Sequence, residues 1–320
     1  IYIAIRRGPM AVPESATEVF DVEVAGTSSS TPRTWNSGFP VDLSIYCHRD
    51  TYTSNKYVGT RLTGNSAYLV TNATSAESSS SNLVEFDHSD KIIENNLGSG
   101  SNKVNWMWRR APNFFDVVAY TGNGTAGRTV SHNLGVAPEM IWVKDRDDAE
   151  DWSVYHAGIT NPEQNYLYLN SSSALNPNSN TIRYWNHTAP TDSVFTLGDE
   201  GRVNQTGENY IAYLFASVDG VSKVGSYTGD GTTDGSKVID CGFSSGARFV
   251  LIKRTDAGGS WYVWDSERGI VAGNDPRLKL ESTDAEASFD NVDPHSSGFS
   301  VVGSSINNIN GANYIFYAIA

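Results

Sequence analysis

The chain of 320 residues has little cysteine, little charge and no long apolar run. Its two cysteines, Cys47 and Cys241, allow one intramolecular disulfide at most, and nothing local argues for it. Two free thiols in a protein assembled inside a cell is the expected state, and a disulfide-stapled scaffold is excluded. The longest apolar stretch, around Tyr210 to Val218, is too short to cross a bilayer as a helix, so membrane insertion is not expected. Basic residues number 23 against 36 acidic ones, a net charge of −13, and they are not segregated. A phosphate backbone would be repelled, and no nucleic-acid partner is expected. Charged residues make up only 18% and hydrophobic ones 39%, which argues against general disorder and for packed cores. No window has a convincing helical period, and the short runs near 147–150 and 284–287 could supply only single turns.

What the chain does have is repetition. Asp116-Val-Val-Ala-Tyr-Thr-Gly-Asn-Gly124 returns as Lys223-Val-Gly-Ser-Tyr-Thr-Gly-Asp-Gly231, with a weaker counterpart in Phe20-Asp-Val-Glu-Val-Ala-Gly26. Pro138-Glu-Met-Ile-Trp-Val-Lys144 matches Arg248-Phe-Val-Leu-Ile-Lys253 and, loosely, Pro40-Val-Asp-Leu-Ser-Ile-Tyr46. A third set begins at Tyr68, Tyr166 and Arg277: Tyr-Leu-Val-Thr, Tyr-Leu-Tyr-Leu and Arg-Leu-Lys-Leu. The closing set begins at Asn102, Asn209 and Asn313, a period of about 105 residues. The closing strand is apolar on both faces and should be central in its sheet. Ser153-Val-Tyr155 and Tyr262-Val-Trp264 alternate less clearly and are expected to be partly exposed.

Short runs rich in Val, Ile, Tyr, Trp and Phe, separated by Gly, Asn, Asp, Ser and Pro, define an all-β chain. The expectation is tandem, jelly-roll-like β-sandwich repeats at 13–111, 112–218 and 219–320, joined by short Pro- and Gly-containing linkers. Residues 1–12 read as the tail of a preceding repeat, because Ile1-Tyr-Ile-Ala-Ile5 matches the closing strand.

The strings Tyr120-Thr-Gly-Asn-Gly-Thr-Ala-Gly-Arg-Thr-Val-Ser-His-Asn-Leu-Gly-Val-Ala-Pro138, Tyr184-Trp-Asn-His-Thr-Ala-Pro190 and Asn209-Tyr-Ile-Ala-Tyr213 resemble repeat domains in tail-fibre and other virion proteins of tailed bacteriophages, especially those of marine and aquatic bacteria. The resemblance runs over the whole chain and is weaker in the first unit, which lacks the Trp-x-Val segment. It implies a non-enzymatic structural or adhesive role in a virion assembled in the host cytoplasm, with other virion proteins as partners and no catalytic residues. Such fibres are usually homo-oligomers, and a trimer is the expected state.

The run Asp145-Arg-Asp-Asp-Ala-Glu-Asp151 supplies the metal candidates Asp145, Asp147 and Asp148, since Ca²⁺ takes six to eight oxygens. It lacks EF-hand spacing, and the third unit has far less acid at the matching place, so a solvated loop and no bound cofactor are expected. A sugar site pairs an aromatic platform with Asn or Asp, which singles out Trp185 with Tyr184 and Asn186, and Trp264, as a surface for a host glycan. Trp152 and Trp261 recur at matched positions and read as core. A carbohydrate-binding module of a secreted or cell-surface protein is the alternative function. A glycan-depolymerising tailspike is the third; it would need paired carboxylates, for which Glu139, Asp145, Asp265 and Glu267 lie near strand ends.

Overall fold

The computed structural model describes residues 11–25, 32–50, 54–80, 83–95, 102–177 and 183–320. Of the described residues 43% are in strands and 2% in helices, which makes the class all β, and among them the sheets are antiparallel and none closes into a barrel. The expected tail of a preceding repeat in residues 1–12 lies, except for Ala11 and Val12, outside the described residues. Among the described residues no helix is long and apolar enough to cross a membrane.

The first unit contains β1 (Phe20–Ala25), β2 (Arg33–Asn36), β3 (Leu43–His48), β4 (Tyr57–Thr60), β5 (Ala67–Val70), β6 (Ser78–Ser79), β7 (Val84–Glu85), β8 (Lys91–Glu94) and β9 (Lys103–Trp108). The second contains β10 (Phe115–Thr121), β11 (Arg128–Ser131), β12 (Met140–Asp145), β13 (Ser153–His156), β14 (Asn165–Tyr168), β15 (Asn176–Pro177), β16 (Val194–Leu197) and β17 (Asn209–Phe215). The third contains β18 (Ser222–Thr228), β19 (Lys237–Asp240), β20 (Phe249–Arg254), β21 (Trp261–Asp265), β22 (Asp275–Lys279), β23 (Ala287–Phe289), β24 (Val292–His295), β25 (Gly298–Val301) and β26 (Asn313–Ile319).

Each unit builds one six-stranded sheet, in the orders β1-β9-β3-β4-β5-β6, β10-β17-β12-β13-β14-β15 and β18-β26-β20-β21-β22-β23. The closing strand of each unit is central and paired on both sides. A small second sheet, β2-β8-β7, β11-β16 or β19-β25-β24, accompanies each large one. Side chains alternate across the large sheets as strand geometry requires. In the second unit Ile141, Val143, Tyr210, Ala212 and Leu214 face the small sheet, where Val130, Phe195 and Leu197 meet them. The other face, with Met140, Trp142, Val154, Leu167, Ile211, Tyr213 and Phe215, joins a cluster that also holds Ile45, Val58, Leu69, Trp106 and Trp108 of the first unit and Leu251, Val263, Leu278 and Tyr317 of the third.

The three units therefore share one core instead of burying three separate ones. Phe249 of the third unit packs edge-on against Phe20 and Trp108 of the first, and Phe215 of the second lies 5.2 Å from Tyr317. Apolar residues at the unit boundaries belong to the same interior. Ala111, Val218 and Val221 are buried, and bridges Ala111↔Phe115 and Val218↔Ser222 pin the segments on either side. The expected partial exposure is corrected for β13 and, apart from Tyr262, for β21. Ser153 to His156 are all buried, as are Val263 and Trp264, while Tyr262 keeps the partial exposure expected of it.

The unit junctions repeat cyclically. The backbone N–H groups of Glu77, Leu175 and Glu286 donate to the carbonyls of Arg146, Thr255 and Arg49, at 2.8, 2.8 and 3.0 Å, so each unit reaches the next and the third returns to the first. In the opposite sense the indole N–H of Trp152 donates to Val70 O and that of Trp261 to Tyr168 O, both at 2.9 Å. At this position the first unit has Lys56, whose ammonium donates to Asp284 O of the third. Lys253, its pKa pulled down to about 8 by burial, reaches Ser172 O and Ser173 O of the second unit. The imidazole of His156 accepts from Gly158 N–H at Nδ1, so its Nε2–H donates across the second junction to Phe316 O at 3.4 Å.

Two expectations follow. A shared core requires the three units to unfold together, so calorimetry should show one transition with matching calorimetric and van't Hoff enthalpies. Trp152→Ala should cost about 3–5 kcal/mol and lower that transition as a whole instead of splitting off the second unit. Burial also depresses the pKa of His156 from its ordinary 6.5 to about 4. Above pH 6.5 it is neutral in both states; below, only the unfolded chain takes up its proton, so stability falls as pH drops toward 4, by about 3 kcal/mol. Asp275, whose carboxyl burial raises to about 6, acts in that window with the opposite sign. The comparison is therefore His156→Gln against wild type in denaturant titrations at about pH 7.5 and about pH 4.5, where the variant should lose less stability on acidification.

Candidate functional site

With the inner faces consumed by packing, chemistry open to a partner must come from the outer faces of β3–β5, β12–β14 and β20–β22. Register makes Tyr68, Tyr166 and Arg277 equivalent, each preceding the buried leucine Leu69, Leu167 or Leu278 that pairs with the neighbouring strand. In the first unit Tyr68 lies edge-on to Tyr57, which stacks on Tyr46 at 5.5 Å. In the second, Tyr166 stacks on Tyr184 at 3.7 Å, and the Tyr168 and Tyr184 hydroxyls are 2.9 Å apart.

The third unit departs from this pattern. Arg277 takes the tyrosine's place, with its guanidinium carbon 4.7 Å from the Tyr262 ring centroid and 4.2 Å from that of Phe289. The Phe289 ring stands on edge strand β23 and is 49% exposed. Beside the stack is an open cavity of about 480 Å³ lined by Arg277, Lys279, Asp284, Ala285, Ala287 and Phe289. Asp284 neutralises Lys279 at 2.6 Å. Arg277 bonds instead to the neutral Asn291 side chain, and no carboxylate of the described residues forms an ion pair with it. A guanidinium held between two rings with no carboxylate partner keeps donors for an anionic group, and the rings offer an apolar platform beside it.

The sugar candidates read from sequence sit elsewhere, and the surface assignment of Trp185 is corrected. Trp185 is 2% exposed, packs edge-on to Tyr155 at 5.7 Å and donates its indole N–H to Asn165 O at 3.1 Å. Tyr184 is buried beside it, so the pair plugs the outer face of the second unit, and Asn186 forms part of the left-handed turn that follows, at φ 50°. Trp264 is wholly buried, on the same face of β21 as Tyr262. An aromatic pair in a polar loop reads as a platform in sequence, but the uncovered end of a sheet needs a plug, and these rings supply it. Trp152 and Trp261 are buried, as their repetition suggested.

The acidic run is likewise divided among internal tasks. Asp145 is 1% exposed, and its Oδ1 accepts the backbone N–H groups of Asp147 and Asp148. Asp147 accepts from the Asn209 backbone and amide, while the ammonium of Lys144 lies against the Asp145 and Asp148 carbonyls. Among the described residues no group of three or more His, Cys, Asp or Glu side chains converges as a metal would require. Of the other strand-end acids, Glu139 accepts Ser217 N–H at 2.6 Å, and Asp265, wholly buried, accepts the Trp106 indole and pairs with Arg268. Cys47 and Cys241 are free and buried.

Arg277, Tyr262 and Phe289 escaped the sequence reading, although one signal was available. Aligned, Tyr68-Leu, Tyr166-Leu and Arg277-Leu show a cation replacing an aromatic ring at a single repeat position. Its consequence depends on Phe289, which has no aligned partner to draw attention to it.

The chain belongs to a family described as a domain of unknown function, DUF7483, whose model matches residues 16–320. The match spans all three units, so the family is defined over the whole shared-core body and not over one repeat. No curated protein matches the chain.

Trp185→Ala should behave as a core truncation, costing about 3–5 kcal/mol in equilibrium unfolding. A binding deficit in that variant would track its unfolded fraction and would vanish under conditions that keep it folded.

Proposed function

We propose that this protein is a non-enzymatic structural component of a bacteriophage virion, in a tail fibre or similar appendage, and that its third unit contacts the host surface. The observation that carries the contact role is Arg277, held between Tyr262 and Phe289 at the open outer face. A cation with free donors on a chain of net charge −13 is a local departure from the overall field, suited to an acidic group on a surface glycan. The non-enzymatic reading is supported by the internal engagement of Glu139, Asp145 and Asp265 described above. Its virion setting rests on the family resemblance read from sequence, and self-association into a homotrimer belongs to the same proposal. Several copies of one shallow site would turn weak contacts into firm attachment.

The test is binding of the purified chain to whole bacterial cells and to an array of bacterial surface glycans, with its mass in solution measured alongside. Saturable binding without release of oligosaccharide is expected. Arg277→Ala should weaken it by about tenfold or more, as loss of a charge-assisted contact does, with the unfolding midpoint little changed. Released oligosaccharide would refute the reading. Absence of binding by the folded chain would remove the contact role and leave an architectural one.

A further inference from the structure

The three junctions are built from equivalent residues, but one of them is left open. Where the Glu77 backbone meets Arg146 the side chains close a bidentate ion pair at 2.7 and 2.8 Å, and where Glu286 meets Arg49 they do so again at 3.0 and 3.1 Å. The same backbone bond joins the second and third units, but here the side chains are Leu175 and Thr255. The residue two positions beyond the fourth large-sheet strand of each unit also shrinks at this junction: it is Leu62 after β4 and Glu267 after β21, but Gly158 after β13. Here the backbone lies so close to β18 that a Cβ on Gly158 would fall 2.9 Å from that of Ser226.

What remains is a cleft of about 410 Å³, within the range of small-molecule sites. Thr160 and Ser226 present hydroxyls, and Asn313 an amide, at its exposed rim. Among the described residues no hydrogen bond engages the two hydroxyls; the Asn313 side chain accepts one from Thr228 and keeps its N–H donors. Leu175 adds an apolar side chain to the lining, whereas the Tyr227–Tyr314 stack lies on the opposite face of β18 and β26 and sends its hydroxyls to Asn307 and Ile309. Asp256, the one acid in the lining, is neutralised by a bidentate contact from Arg254 at 3.0 and 2.9 Å. No cation is left over for a phosphate or carboxylate. Neutral donors and acceptors gathered around a cleft with no unpaired charge, beside the apolar Leu175 side chain, match an uncharged ligand that carries several hydroxyls.

We infer that the cleft between the second and third units is a binding site for a neutral pyranose residue. It deepens the adhesive reading by naming a ligand class, yet it is separate from the Arg277 face, which takes an anionic group, and the two can fail independently.

The test titrates the full chain with methyl α-D-mannopyranoside, methyl α-D-glucopyranoside, methyl β-D-galactopyranoside and methyl α-L-rhamnopyranoside, following amide resonances by NMR. At least one should give saturable shifts centred on Ser226, Thr228 and Asn313. The double variant Thr255→Arg with Leu175→Glu recreates the ion pair of the other two junctions; it should abolish binding while keeping the single unfolding transition. The pair Thr160→Val with Ser226→Ala, both at exposed positions, keeps the fold and should weaken binding about tenfold, so it decides the matter if the charged variant does not fold. Arg277→Ala should leave pyranoside binding unchanged, which separates this result from that of the cell-binding experiment. No shift with any of the four glycosides, or unaltered affinity in the Thr160/Ser226 variant, would overturn the inference.

Discussion

The inner face of each six-stranded sheet is too apolar to meet water, and it has only the inner faces of the other two sheets to meet. Val104, Trp106 and Trp108, Ile211, Tyr213 and Phe215, and Ile315, Tyr317 and Ile319 are buried side chains of the three closing strands. Full burial of one such side chain contributes roughly 1.5–3 kcal/mol. Leaving a whole face open would forfeit more than the 5–15 kcal/mol by which a folded domain typically exceeds its unfolded state. A single unit of this sequence therefore has no stable solvated form; the small sheet covers only its outer side. The cyclic junction bonds are consequences of that packing. Once the inner faces meet, the indole N–H groups of Trp152 and Trp261 lose water and must find acceptors, and the carbonyls of Val70 and Tyr168 are the acceptors they reach.

Within that constraint equivalent positions have diverged in pairs. Val118 in β10 lies opposite Ala212 in β17, whereas Gly225 in β18 lies opposite Phe316 in β26. A Cβ on Gly225 would fall 2.6 Å from Phe316 Cζ, so the larger ring is admitted only because the partner has no side chain. In the first unit Glu23 lies opposite Asn105, and its carboxylate accepts Asn36 N–H. Each solution balances space or polarity across two strands, as dense packing demands. The first unit also carries a buried Lys103–Glu94 pair, with the Trp35 indole on the second carboxylate oxygen. There both charges are held by partners, the condition under which a buried ion pair is tolerated.

The all-β class and the central place of the closing strands were legible in the sequence because both depend on local pattern: short β-branched and aromatic runs, turn residues between them, and a strand apolar on both faces. The sharing of the core was not. A strand covered on its inner face by its own unit and one covered by a different unit have the same alternation, so β13 and β21 gave no hint of what lies over them. The site residues failed for a related reason. Trp185 and Tyr184 stand among polar turn residues, and nothing nearby in sequence reveals that they fold back over the open end of their own sheet. Asp145 to Asp151 is rich in carboxylates, but whether these converge depends on which backbone N–H groups claim them first, and the tight loop after β12 places two such groups at Asp145 Oδ1.

Both places assigned to binding occur where the third unit, or its border with the second, departs from the other two. That follows from how a repeated body can acquire a site. Positions that hold the shared core cannot change alone, whereas a position on the outer face or at a junction rim can lose a side chain at small cost, because water replaces it. The Arg146–Glu77 pair is partly exposed, so water replaces much of what its loss removes, and the junction at Leu175 and Thr255 can remain open without threatening the fold. Replacing a stacked tyrosine by Arg277 preserves contact with Tyr262, since a guanidinium lies on a ring as a second ring would. Three nearly equivalent units thus provide one scaffold and several independent surfaces, and the surface least constrained by packing is the one free to meet a partner.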